Sequence, residues 1–219
     1  MGSIQFERVF FFDIDNCLYA PDLGIAPLMK QRIYAYGREI GLDENEVVKT
    51  CGKYYRDYGL SVRGLIKHHK IDPAGFNEKV DGSIPLEDII KADPQLRAML
   101  ESIQTRRWAF TNAGIDHARR VLKCLQVEDL FEGITFCNYE EPDFPCKPER
   151  ESYDRAMAEA GVSDPQLCFF ADDSAKNVEA ARQLGWTAVL VSPQINQPSG
   201  REIQTIHQLP DALPQLFCQ

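Results

Sequence analysis

Four polar clusters end or follow apolar runs in this 219-residue chain: Asp13 and Asp15 after Phe10-Phe11-Phe12, Thr111 and Asn112 after Arg107-Trp108-Ala109-Phe110, Lys147 before Pro148, and Asp172-Asp173 after Leu167-Cys168-Phe169-Phe170-Ala171. Two carboxylates one residue apart repel each other unless a cation or a proton is shared between them. Three or more carboxylates with one lysine and one hydroxyl make a hard, oxygen-rich set, the kind that suits Mg²⁺ and leaves open positions for a substrate phosphate. The chemistry such a set permits is phosphoryl transfer. The metal and Lys147 would balance the phosphate charge, and Thr111, Asn112 and backbone amides would bind the phosphoryl oxygens. One aspartate would attack phosphorus to form an acyl-phosphate, while a second would protonate the leaving alkoxide and then deprotonate water. Each cluster alone also reads as ordinary structure: an Asx turn, a cap, a solvated loop, a helix start. The chemistry depends on their convergence.

The flanking elements supply that convergence. Short apolar strands are expected at 8–12, 107–112, 133–137, 167–171 and 187–191, interleaved with helices at 94–102, 116–125, 149–160 and 174–184. This alternation predicts an α/β fold, a doubly wound parallel sheet whose strands all present their carboxyl ends, and hence the polar clusters, to one edge. Pro148 fixes the backbone before its helix and would hold Lys147 near that edge.

Between the first strand and the rest, residues 20–86 carry helical periodicity. Leu28 to Ile40 closes at Gly41, a second helix starts in Asp43-Glu44-Asn45-Glu46 and runs to Gly59, a third spans Val62 to Lys67, and a breaker-rich stretch covers Ile71 to Leu86. We expect an inserted helical cap at 20–86 and a core domain made of 1–19 and 87–219. Tyr54, Tyr55 and Tyr58 are expected chiefly as packing, and His68 and His69 beside Lys67 and Lys70 as a solvated basic face. Arg63, after a glycine-bearing turn, is the candidate in the insert for contact with substrate or with a cap carboxylate.

Composition sets the outer bounds. A 44% hydrophobic chain of this length can bury a full core, and a net charge of −9 argues against nucleic-acid or anionic-membrane binding, so positive charge for an anionic substrate must be local. No run approaches the length of a membrane span, and Met1 to Phe12 does not read as a cleavable leader, so a cytoplasmic or nuclear location is expected. Seven cysteines without a Cys-x-x-Cys pair suggest reduced, mostly buried thiols, with neither a disulfide framework nor a zinc site.

Asp13-Ile-Asp-Asn, Thr111, Lys147 and Asp172-Asp173 together resemble the four motifs of the haloacid dehalogenase superfamily of phosphatases, a match spanning Arg8 to about Ser192. Asp13 to Tyr19 and Tyr54 to Leu65 further resemble its pyrimidine 5′-nucleotidase branch. The resemblance implies Asp13 as nucleophile, Asp15 as acid/base, Thr111 and Lys147 as phosphate binders, and Mg²⁺ on Asp13, the backbone carbonyl of Asp15 and Asp172, with Asp173 in support. It implies a small phosphorylated metabolite, a nucleoside 5′-monophosphate with pyrimidines favoured, as substrate. Sugar phosphates, lysophospholipids and a phosphomutase reaction are the alternatives, while Asp15 argues against dehalogenation and the intact set of clusters against an idle binding protein. Where most members carry Thr or Ser, this chain has Cys17, a weaker hydrogen-bond partner, which predicts lower activity or redox sensitivity.

Overall fold

The computed structural model describes residues 7–197 and 200–217; Cys218 and the segment before Glu7, on which the leader expectation partly rests, lie outside the described residues. Six strands form one fully parallel sheet: β1 (Val9–Phe12), β2 (Arg106–Phe110), β3 (Gly133–Thr135), β4 (Cys168–Asp172), β5 (Thr187–Val191) and β6 (Glu202–Ile203), in the order β3-β2-β1-β4-β5-β6. This is the expected α/β doubly wound architecture. β1 lies between β2 and β4, where the strand order reverses direction, and such a switch point opens a crevice at the strands' carboxyl ends.

The four residues of β1 and the five of β4 are all buried, because helices cover both faces of the sheet. Side-chain alternation sends Phe10 and Phe12 into one core with Leu96, Leu100, Val121 and Leu122, and Val9 and Phe11 into the other with Phe110, Tyr153, Phe170 and Trp186. Phe11 stacks on Trp186 at 4.6 Å between ring centroids, and Phe10 on Phe12 at 4.2 Å. The sheet is therefore held rigidly from both sides beneath the polar edge.

Between β1 and β2 the chain is entirely helical: α1 (Ile25–Glu39), α2 (Val47–Tyr58), α3 (Ser61–His69), α4 (Pro73–Lys79), α5 (Leu86–Ile89) and α6 (Pro94–Ser102). Tyr36, Tyr54, Val62, Leu65, Phe76 and Val80 form their own apolar cluster, which takes in Cys137, Tyr139, Phe144 and Cys146 from the loop after β3. The insert thus rests on the loop that carries Lys147. Gly59, at φ +78°, ends α2, and a Cβ there would lie 2.9 Å from Cys146 Sγ, so backbone and loop meet closely at that turn. The remaining helices are α7 (Ile115–Cys124), α8 (Arg150–Ala160), α9 (Ala175–Gln183) and α10 (Leu209–Ala212).

One expectation shifts, and one strand is new. The helix expected from Asp43 begins at Val47, because the Asp43 carbonyl accepts from the Glu46 and Val47 amides and its side chain from the Asn45 amide, closing a turn first. The polar tail contributes β6, a two-residue strand paired with Leu190 and Val191, too short to show any period in sequence. Among the described residues no helix is long and apolar enough to cross a membrane.

Candidate active site

Strand register builds the site. Phe12 pairs with Ala171 on one side and Ala109 on the other, and the Asp13 amide donates to the Ala171 carbonyl at 2.9 Å, so Asp13 emerges level with Asp172 and with Phe110. Carboxylate oxygens of Asp13, Asp172 and Asp173 lie within 4.8 Å of one another. Lys147 enters from the loop between β3 and α8. Its buried Nζ donates to Asp13 Oδ1 at 2.7 Å, to Asp172 Oδ2 at 2.8 Å and to the Phe110 carbonyl at 2.6 Å, over the faces of Phe110 and Phe170. All three of its protons are committed, so Lys147 acts first as an internal counterion for the two aspartates.

Asp172 is held further. Its Oδ1 accepts from the Ser174 amide at 2.8 Å, and Asn177 Nδ2 reaches both carboxylate oxygens at 3.1 Å, from the first turns of α9. Burial, reinforced by the charge of Asp172, pushes the Asp173 carboxyl up to about 6. Burial likewise raises Asp13 well above the usual range, with Lys147 opposing it and Asp172 and Asp173 adding to it. A cluster of hard oxygens whose anionic forms are mutually destabilised fits a divalent cation, which would relieve that repulsion.

Asp15 turns the other way. Its Oδ1 accepts from Tyr19 Oη at 2.7 Å and from His117 Nε2 on α7 at 2.8 Å. Burial alone would raise this carboxyl, but the charge and hydrogen bond of His117, with Tyr19, outweigh it and hold it below the ordinary value. The Asp15 side chain therefore stands outside the carboxylate cluster of Asp13, Asp172 and Asp173, and the metal contact expected of Asp15 is through its backbone carbonyl, not this carboxylate. Thr111 is buried, and its Oγ1 accepts from the Ala113 amide at 3.0 Å, which leaves its own O–H to donate to a phosphoryl oxygen.

Two further expected substrate ligands have other partners. Asn112, expected on the phosphate, has both ends of its amide engaged by the Lys147 backbone. Arg63, expected on substrate or a cap carboxylate, donates through Nη1 to Glu149 Oε1 at 2.5 Å, to Cys146 Sγ at 3.2 Å and to the Tyr58 carbonyl at 2.9 Å, so it links the insert to the start of α8. His68 and His69 are not a simple solvated face, since their Nε2 atoms lie at 2.7 and 2.8 Å from the hydroxyls of Tyr58 and Tyr54. Cys17 is 2% exposed, and burial pushes its thiol well up, so the thiolate that redox chemistry requires is disfavoured. Among the described residues six cysteines are free, five of them buried.

Sequence reasoning passed over Tyr19, His117 and Asn177. For His117 a signal existed: the buried stripe of α7 comprises His117, Ala118, Val121 and Leu122, and an imidazole on an apolar stripe calls for a polar partner.

Comparison with known proteins gives the family and the fold. A family model described as haloacid dehalogenase-like hydrolase matches residues 7–185. "Phosphate metabolism protein 8" of Saccharomyces cerevisiae is 38% identical over 196 residues, which cover 84% of this chain; the chain spans only 61% of that protein's length. Among solved structures, the putative HAD-hydrolase YfnB from Bacillus subtilis bound to magnesium is similar with a TM-score of 0.63 at 16% identity, covering 94% of this chain and 98% of that one. A putative beta-phosphoglucomutase from Thermotoga maritima gives a TM-score of 0.62 at 18% identity, covering 96% and 100%. Likeness at such identity speaks to the fold alone.

Proposed function

Because the chain belongs to the haloacid dehalogenase-like hydrolases, we propose that it is a Mg²⁺-dependent phosphomonoesterase acting on nucleoside 5′-monophosphates, pyrimidine nucleotides foremost, beneath a cap formed by residues 20–86. The observation that carries this reading is the divergence of two aspartates one residue apart: Asp13 faces Lys147 and Asp172, whereas Asp15 faces His117 and Tyr19. Two neighbouring carboxylates in unlike surroundings suit two roles, nucleophile and acid/base.

In this reading Asp13, Asp172 and Asp173, with the carbonyl of Asp15, hold the cation; when bound, Mg²⁺ supplies positive charge at the phosphate oxygens. Asp13 attacks phosphorus through the oxygen not held by Lys147. Asp15, held ionised in the free chain by His117 and Tyr19, takes up a proton as the negative charge of the substrate phosphate arrives beside it, gives that proton to the departing alkoxide and takes another from the water that cleaves the aspartyl-phosphate, and Thr111 donates to a phosphoryl oxygen. The insert supplies the leaving-group contacts. Tyr55 on α2 supports a nucleotide there: the residue is 62% exposed, and its hydroxyl is raised by burial and by the charges of Asp173 and Asp172, as suits an aromatic side chain in the field of those carboxylates. The magnesium complex of the Bacillus relative accords with the cation.

The test combines trapping with a panel. Acid-quenched wild-type protein incubated with radiolabelled nucleotide and Mg²⁺ should carry covalent label that folded Asp13→Asn lacks, and kcat/KM should rank pyrimidine nucleotides above sugar phosphates and lysophospholipids. A folded Asp13→Asn protein with near wild-type turnover would overturn the chemistry. Preference for a sugar phosphate, or release of an isomerised phosphosugar, would overturn the substrate.

A further inference from the structure

The two donors on Asp15 land on the same atom. Tyr19 Oη and His117 Nε2 both approach Oδ1, while Oδ2 takes no hydrogen bond from the described residues and the side chain keeps 28% exposure on its open side. A carboxylate turns readily about its last torsion, so a single donor fixes it poorly. Two donors use both lone pairs of Oδ1, pin the plane of the group and leave Oδ2 as the oxygen that can carry a proton.

His117 reaches Asp15 from α7. Its ring is buried, and it is faced by Asp15, Asp81 and Arg120. Yet its Nδ1, Asp81 Oδ2 and Asn77 Oδ1 are all buried and lack a hydrogen-bond partner among the described residues. A Cβ on Gly114 would lie 3.4 Å from Asn77 Oδ1 and 3.6 Å from Asp81 Oδ2, so these two orphans face one small space at the N-terminal end of α7. Arg120, one turn along the same helix, donates to the carbonyls of Asp81 and Ile84 and to Glu87, which fixes α7 against the returning end of the insert. The imidazole is thereby anchored on a rigid element.

We propose that His117 is a positioning residue which, together with Tyr19, locks Asp15 by Oδ1 and turns Oδ2 toward the leaving oxygen and the hydrolytic water. This rests on the reading of Asp15 as acid/base. No atom is transferred to His117: the proton moves between Asp15 Oδ2, the leaving alkoxide and water, and the imidazole keeps its Nε2–H throughout.

The experiment measures kcat/KM for a nucleoside monophosphate and for 4-nitrophenyl phosphate, whose leaving group needs no proton, in the full chain with Mg²⁺. His117→Phe should lower the nucleotide value by about ten- to a hundredfold, the scale of one or two hydrogen bonds to a charged group, and the aryl phosphate value by no more than about threefold. His117→Gln, whose amide reaches the position of Nε2, should restore most of the nucleotide rate. In an Asp15→Asn background, His117→Phe should add little, because its effect passes through Asp15. If Asp15→Asn changes the ratio of the two substrates and folded His117→Phe does not, the positioning role is overturned; if Asp15→Asn slows both equally, the acid assignment itself falls. Should His117→Phe fail to fold, His117→Asn, too short to reach Oδ1, and Tyr19→Phe replace it, and an unchanged substrate ratio in both overturns the proposal.

Discussion

Asn112 grips the Lys147 peptide from both sides, its Nδ2 donating to the Lys147 carbonyl at 2.9 Å and its Oδ1 accepting the Lys147 N–H at 2.8 Å. The residue after Thr111 thus orients the lysine that faces Asp13. Asn112→Ala should leave these two backbone groups to find other partners and loosen Lys147 by fractions of an ångström. We expect kcat to fall by about ten- to a hundredfold, in line with the loss of two buried hydrogen bonds. Nucleotides and aryl phosphates should be affected alike, since the lysine faces Asp13, whose part in the proposed chemistry is the same for both. A loss confined to KM would instead indicate that Asn112 binds substrate directly.

Arg63 is paired with Glu149 two residues beyond Lys147, so it ties the insert to the loop that bears the lysine. The Glu149 side chain is 39% exposed, and solvent screening limits such a pair to about 1 kcal/mol. Arg63→Ala and Glu149→Ala should each lower kcat/KM by about three- to tenfold for nucleotide and aryl phosphate together, and the double variant should lose little more than either alone. A nucleotide-specific loss in Arg63→Ala with a silent Glu149→Ala would return Arg63 to direct contact with substrate.

Asp81 gives a prediction in pH. Burial, with the charge of Asp15, pushes its carboxyl from 3.8 up to about 6, against the pull of His117 and Arg120. A raised folded-state pKa on an acid means that the folded chain holds the proton more tightly than the unfolded one. The penalty is therefore absent below about 3.8, grows as pH rises, and is complete above about 6. Asp81→Asn should be more stable than wild type at pH 7.5, by about 3 kcal/mol at most, and the difference should shrink toward pH 4. Urea unfolding at the two pH values checks this, and a pH-independent difference would contradict it.

The sheet was legible because its strands are short apolar runs that stop at charged residues. Phe10-Phe11-Phe12-Asp13 and Phe169-Phe170-Ala171-Asp172 each announce both a buried strand and the site at its end. Lys147 was legible for a similar reason, a cation followed by Pro148 at the head of a helix. What stayed hidden were residues whose importance depends on a partner distant in sequence. Nothing local distinguishes an Asn112 that binds phosphate from one that binds a peptide, or an Arg63 that meets substrate from one that meets Glu149. His117 joins Asp15 across 102 residues, from beyond both the insert and β2, and only the packing of α7 brings it there.

β1 occupies the middle of the sheet, although its partners lie far along the chain: Val9 pairs with Arg106 on one side and with Cys168 on the other. During synthesis Val9-Phe10-Phe11-Phe12 emerges before the sheet's other strands and finds its last neighbour only after β4 has emerged. Until then an uncharged aromatic segment of high strand propensity has an open edge, and its closure entropy is large because both pairings are non-local. The helical insert can form by local contacts in the interval, so the nascent chain passes through a stage with its outer part folded and its centre incomplete. Truncations ending before Cys168 should accordingly remain insoluble or chaperone-bound, although they contain the entire insert and three of the sheet's strands.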